Sequence, residues 1–148
     1  MKPRAVMLWT LIVGVLDIVE VILFYWFRGV LPIRILQGVA AGALGRDAFR
    51  GGVETAVTGL LLHFFIAFVV VAVYHLAAER AEVLRMHPII SGALYGLAVY
   101  AVMNYVVVPL SAAGQPAAVR WAVVANGLFA HVFCVGIPAL SFQLSLRK

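Results

Sequence analysis

Cysteine is all but missing. Cys134 stands alone in a chain of 148 residues, which excludes an internal disulfide and leaves no pair of thiolates for a metal site. Charge is scarce as well: Asp, Glu, Lys and Arg make up 11% of the residues, against 65% that are hydrophobic. A soluble domain is usually about a quarter charged and about half apolar. A water-exposed surface cannot be covered from this inventory, so the chain reads as integral to a membrane. Acid is the scarcer charge, six Asp and Glu against eleven Lys and Arg, for a net +5. In a soluble protein that balance would suggest nucleic acid. Here the basic residues lie between apolar runs, where lipid headgroups meet them, and no nucleic-acid partner is expected. Catalytic signatures are missing too. There is no phosphate loop, dinucleotide glycine fingerprint, nucleophile elbow or HExxH, and Ser91, Ser111, Ser141 and Ser145 lie in no nucleophile motif. No residue is assigned a catalytic role, and the reading favours a non-enzyme.

What the chain does have is long apolar runs. A spanning helix needs about 20 mostly apolar residues. Windows at 5–27, 53–77, 88–110 and 119–144 qualify. Residues 33–44 form a fifth apolar stretch, at about 18 Å too short to cross. The expected fold is a single all-α transmembrane domain, a four-helix bundle with an extra re-entrant or interfacial helix between spans one and two, marked by Arg34, Gln37, Gly38 and Gly42. "GRDAFRGG" (45–52) should break that helix, 78–87 reads as a polar helical link, and 111–120 as a turn. The start, "MKPRAVMLWTLIVG", mimics a signal peptide, but no small-x-small cleavage site follows, so it reads as a retained first span.

Orientation follows from basic residues in the connections. With the N-terminus inside, Lys2, Arg4, Arg80, Arg85, Arg147 and Lys148 lie inside, and Arg28, Arg34, Arg46, Arg50 and Arg120 outside. Those beside the short helix weigh less, so both termini are placed in the cytoplasm of a cell with a plasma (inner) membrane. "GLLLHFF" (59–65) and "GLFAHVF" (127–133) share Gly, Leu, His and Phe. A duplication would relate two hairpins by an axis along the membrane normal. Coincidence competes with it, because Gly, Leu and Phe are common in lipid.

Ionisable groups inside a bilayer are costly, about 2.5–3.5 kcal/mol for Asp on insertion scales. Asp17 and Glu20 nevertheless sit in the middle of the first run, three apart and so near one helix face, with Gly14 and Thr10 on the turns before. His63, Asn104 and His131 fall within roughly 8 Å of the same midplane, and the five are expected to form a buried polar cluster. Gly14, Gly59, Gly92, Gly96 and Gly127 are expected at close helix contacts, Gly92 and Gly96 as a GxxxG pair. Pro138 cannot donate to the Cys134 carbonyl, which frees an acceptor one turn from His131. The competing reading of the cluster is a register lock with no other role, and for Asn104 alone an interhelical hydrogen bond. Tyr74 and His75 are read as interface residues, His87 as solvated, Glu54 as a partner of its helix dipole and Cys134 as a small buried hydrophobe.

Three functions compete. The first is ion, proton or small-solute handling, with Asp17 and Glu20 sharing a proton beside the imidazoles. The second is a non-catalytic accessory subunit, or a homo-oligomer, built through small-residue helix faces in the bilayer. The third is a metal or haem protein: His63 and His131, with Asp17, could ligate a divalent metal, or the two His a haem for which Gly59 and Gly127 would make room. No cofactor is the favoured reading.

The run "FYWFRGVLPIRILQGVAAGALGRDAFRGGVETAVTGLLLHFFIAF" (24–68) resembles a group of small uncharacterised bacterial four-span inner-membrane proteins. They share an arginine after span one, here Arg28, a P-x-R-I-L-Q start to a short helix, a G-G pair and a histidine in span two, here His63. Asp17 matches the acid of span one in that group, and Glu20 has no counterpart in the pattern. The resemblance implies a bacterial inner membrane and carries no activity.

Overall fold

A computed structural model describes residues 3–114 and 120–139. Among these residues every regular element is helical. Four helices are long and apolar enough to cross a membrane: α1 (Pro3–Trp26), α3 (Gly52–Arg80), α5 (Pro88–Leu110) and α6 (Trp121–Ala139). Between them lie α2 (Pro32–Leu44), a 3-10 turn (Gly45–Arg50) and α4 (Glu82–Met86). The protein is a multi-pass, all-α membrane protein. Helix α3 runs three residues past its expected end because the His75–Glu79 pair, with Nε2 and Oε1 3.0 Å apart, and the buried Ala78 carry it on to Arg80. Positions 119 and 140–144 of the expected fourth span, residues 115–119 of the last loop, Ser141, Ser145 and the terminal Lys2, Arg147 and Lys148 lie outside the described residues.

The burial pattern is that of a bundle in lipid. Phe27, Leu110 and Trp121 are each at least 80% exposed, a surface that suits a hydrocarbon solvent and would aggregate in water. The interior is built from small residues, among them Ala40, Ala48, Ala56, Ala67 and Ala78. Glycines let the backbones close. A methyl added at Gly59 would fall on the Leu36 carbonyl of α2, and one at Gly96 on the His131 carbonyl of α6. At Gly92 it would stand 2.8 Å from the Gly136 carbonyl, at Gly14 2.6 Å from the Phe64 ring, and at Gly127 2.6 Å from the Tyr100 ring. In a bilayer, where hydrophobicity does not drive helices together, such close contact is the main attraction.

Two helical groups result. Helix α3 packs on α2 and α1, while α5 packs on the second half of α6, and α1 touches both groups. Helices α3 and α5 meet at the α4 end, where the Tyr95 hydroxyl donates to the Val70 carbonyl at 2.6 Å and the Tyr74 and Tyr95 rings lie 4.8 Å apart. Tyr74 and His75 are therefore buried in the bundle, 1% and 2% exposed.

Helix α2 is fixed through backbone acceptors. Gln37, 3% exposed, donates to the Gly52 carbonyl at 2.9 Å, Arg34 to that of Phe49 at 2.8 Å, and Thr55 to that of Ala48 at 2.6 Å. The Ala112 amide donates to the Gly42 carbonyl at 2.9 Å, tying the far end of α5 to α2. Gly38 meets nothing within 4 Å of its added methyl and faces outward. Gly45, at φ 66°, ends the helix.

Helices α5 and α6 each contain a widened π turn, Met103–Val107 and His131–Gly136. The amides of Val108 and Ile137 donate to the carbonyls of Met103 and Val132, five residues back. In both helices the next residue is a proline, Pro109 or Pro138. A proline ring has no proton to donate and crowds the carbonyl four residues earlier. Widening the preceding turn gives the chain another partner.

Candidate functional site

The shared helix α1 carries the site. Asp17 opens into a cavity of about 260 Å³ that is also lined by His63 of α3, Asn104 of α5 and His131 of α6. Toward the α4 end the cavity is stopped by a packed layer of Val6, Val13, Val71 and Val135. Toward the other end Ile35 and Val39 of α2 form part of its wall, so the short helix belongs to the site as well as to the surface. Each π turn contributes a lining side chain, Asn104 from one and His131 from the other. Such turns are frequent at functional sites.

Hydrogen bonding assigns a role to each polar group. His63 Nε2 lies 2.8 Å from the Gly14 carbonyl oxygen. A carbonyl only accepts, so Nε2 carries a proton, and in the neutral form of the ring Nδ1 is then an acceptor. His131 Nδ1 lies 2.8 Å from the Gly127 carbonyl, which by the same logic leaves Nε2 as its acceptor. Asn104 Nδ2 donates to the Tyr100 carbonyl at 2.9 Å, leaving Oδ1. That bond stays within α5, in place of the interhelical bond expected for this residue. Asp17 Oδ1 is buried and has no hydrogen-bond partner among the described residues. No lysine or arginine lines the cavity. The four lining polar side chains thus all offer acceptors, around one carboxylate.

Glu20 stands apart. It does not line the cavity and instead accepts from Asn126 Nδ2 of α6 at 3.2 Å. Residues three apart on a helix differ by about 60° in direction. That angle is enough to send Asp17 toward the cavity and Glu20 toward the first half of α6. Asn126 escaped the sequence reading, although an amide inside an apolar run was the same signal that singled out Asn104.

Among the described residues no group of three or more His, Cys, Asp or Glu side chains is arranged to hold a metal ion. The space beside Gly59 is filled by the backbone of α2, and that beside Gly127 by the Tyr100 ring. The two imidazoles also sit differently, His63 bonded across to α1 and His131 to its own helix, so the matched GLxxHxF segments do not occupy equivalent surroundings. No family model, curated protein or solved structure matches the chain.

Proposed function

We propose that this protein handles cations in the bilayer, protons first among them, with Asp17 as the group that takes them up. One observation carries the reading: each of the cavity's polar side chains offers an acceptor, and the buried Asp17 oxygen among them receives no hydrogen bond from the described residues. A buried acceptor without a partner is costly, and what relieves it is a species that brings protons. Asp17 binds the proton, and the free nitrogens of His63 and His131 pass it onward. We place the chain in a bacterial inner membrane with both termini in the cytoplasm.

The test is proton flux in liposomes holding the purified protein and a pH-sensitive dye. Wild type should dissipate an imposed gradient, and Asp17→Asn should slow it by at least about tenfold, in line with loss of a charge-assisted site. Equal rates in the two proteins would sink the reading. The Glu20–Asn126 bond between α1 and α6 favours a second reading, an accessory subunit in which polar groups only lock packing. In that case neither protein carries flux, and the wild type co-purifies with a larger membrane complex in mild detergent.

A further inference from the structure

Resting on Asp17 as the cation-binding carboxylate, we infer that the cavity also takes a lipophilic amine in its protonated form, drawn sideways from the bilayer between α3 and α5. From Tyr95 toward Val107 these helices wall a groove of about 330 Å³, with Phe65 and Val69 on one side and Ala98 and Val102 on the other. The groove is almost wholly apolar and shares Ile66, Val70, Val99 and Met103 with the polar cavity. Those four side chains stand between the two spaces, so an occupant passes from one to the other by moving them aside. One end is the hydrocarbon surface of the bundle, and the other is a carboxylate ringed by acceptors.

Charge and shape select the occupant together. An ammonium head carries a positive charge and several N–H donors, which match Asp17 Oδ1 and the free acceptors of His63, His131 and Asn104. A neutral lipid tail has nothing to offer them, and an anion would meet a carboxylate with no basic side chain beside it. Valines pack against the cavity on the α4 side, and Ile35 and Val39 of α2 form part of its wall on the other. An alkyl chain lying in the groove keeps its hydrocarbon out of water throughout entry.

The experiment uses the full chain in lipid nanodiscs and a photoreactive dodecylammonium probe, with labelled residues mapped by mass spectrometry. Labelling should fall on the groove faces of α3 and α5. It should be displaced by excess dodecylamine, but neither by dodecanol nor, at the same concentration, by dodecyltrimethylammonium, which has no N–H. Asp17→Asn, and separately Ala98→Trp or Val69→Trp, should each lower the displaceable label by at least about tenfold, in variants that remain monodisperse. Label confined to outward lipid-facing positions, label unchanged in Asp17→Asn, or a cross-link showing a second copy in the groove would each overturn the inference. If proton flux depends on Asp17 while amine labelling does not, this inference falls and the proton reading stands. If neither depends on Asp17, both fall.

Discussion

Asn126 and Glu20 show how much one side chain's direction decides. The bond between them, 3.2 Å long, ties α1 to α6 away from the cavity. Interhelical hydrogen bonds in membranes contribute about 0.6 kcal/mol on average and no more than about 1.7. Asn126→Ala should therefore lower unfolding stability in mild detergent by about 0.6 kcal/mol and leave proton flux at the wild-type rate. A large loss of flux would mean that Glu20 shares in the uptake of protons after all. At this scale the sequence revealed which polar residues lie within the spans better than it revealed their grouping. Asp17, His63, Asn104 and His131 could be picked out because polar groups are rare and expensive in an apolar run. Glu20 could not be separated from Asp17, because a face-sharing rule tolerates the 60° or so by which their partners differ.

Spans are the most legible elements, since apolar length alone announces them. The short helix was legible in extent, Pro32–Leu44 against the expected 33–44. Its anchorage on the 3-10 turn and the start of α3 was not, because that depends on bonds from Arg34 and Gln37 to carbonyls that carry no sequence signature. The π turns were hidden for a similar reason. An apolar pattern does not record which carbonyl an amide chooses, and Pro109 and Pro138 were the sole hints. Pro138→Ala tests what the wide turn does. Restoring the donor at 138 should return that stretch to α-helical bonding and raise stability, by up to about 3 kcal/mol. It should also turn His131 by about 100° relative to the helix beyond it, as one residue fewer in the turn requires. Expected together are a higher melting temperature and slower proton flux in the same preparation. A stabilised variant with unaltered flux would show that His131 does not need the wide turn.

For the whole molecule, the composition settled the class and the connections suggested the orientation. Reporters that are active only in the cytoplasm, fused in turn to each end of the chain, should both work. Activity at one end alone would reverse the topology or change the number of crossings. Packing at this scale was beyond the sequence: four apolar rods can be paired in several ways, and glycine positions state that contacts are close without stating with whom. Here the pairing leaves α1 between two helical groups that otherwise join at Tyr95, through α4, at the tie from Ala112 to Gly42 and through the layer of Val71 and Val135. That arrangement makes the first helix an axle. Whatever bears on Asp17 therefore bears on both groups at once, because α1 packs against each of them.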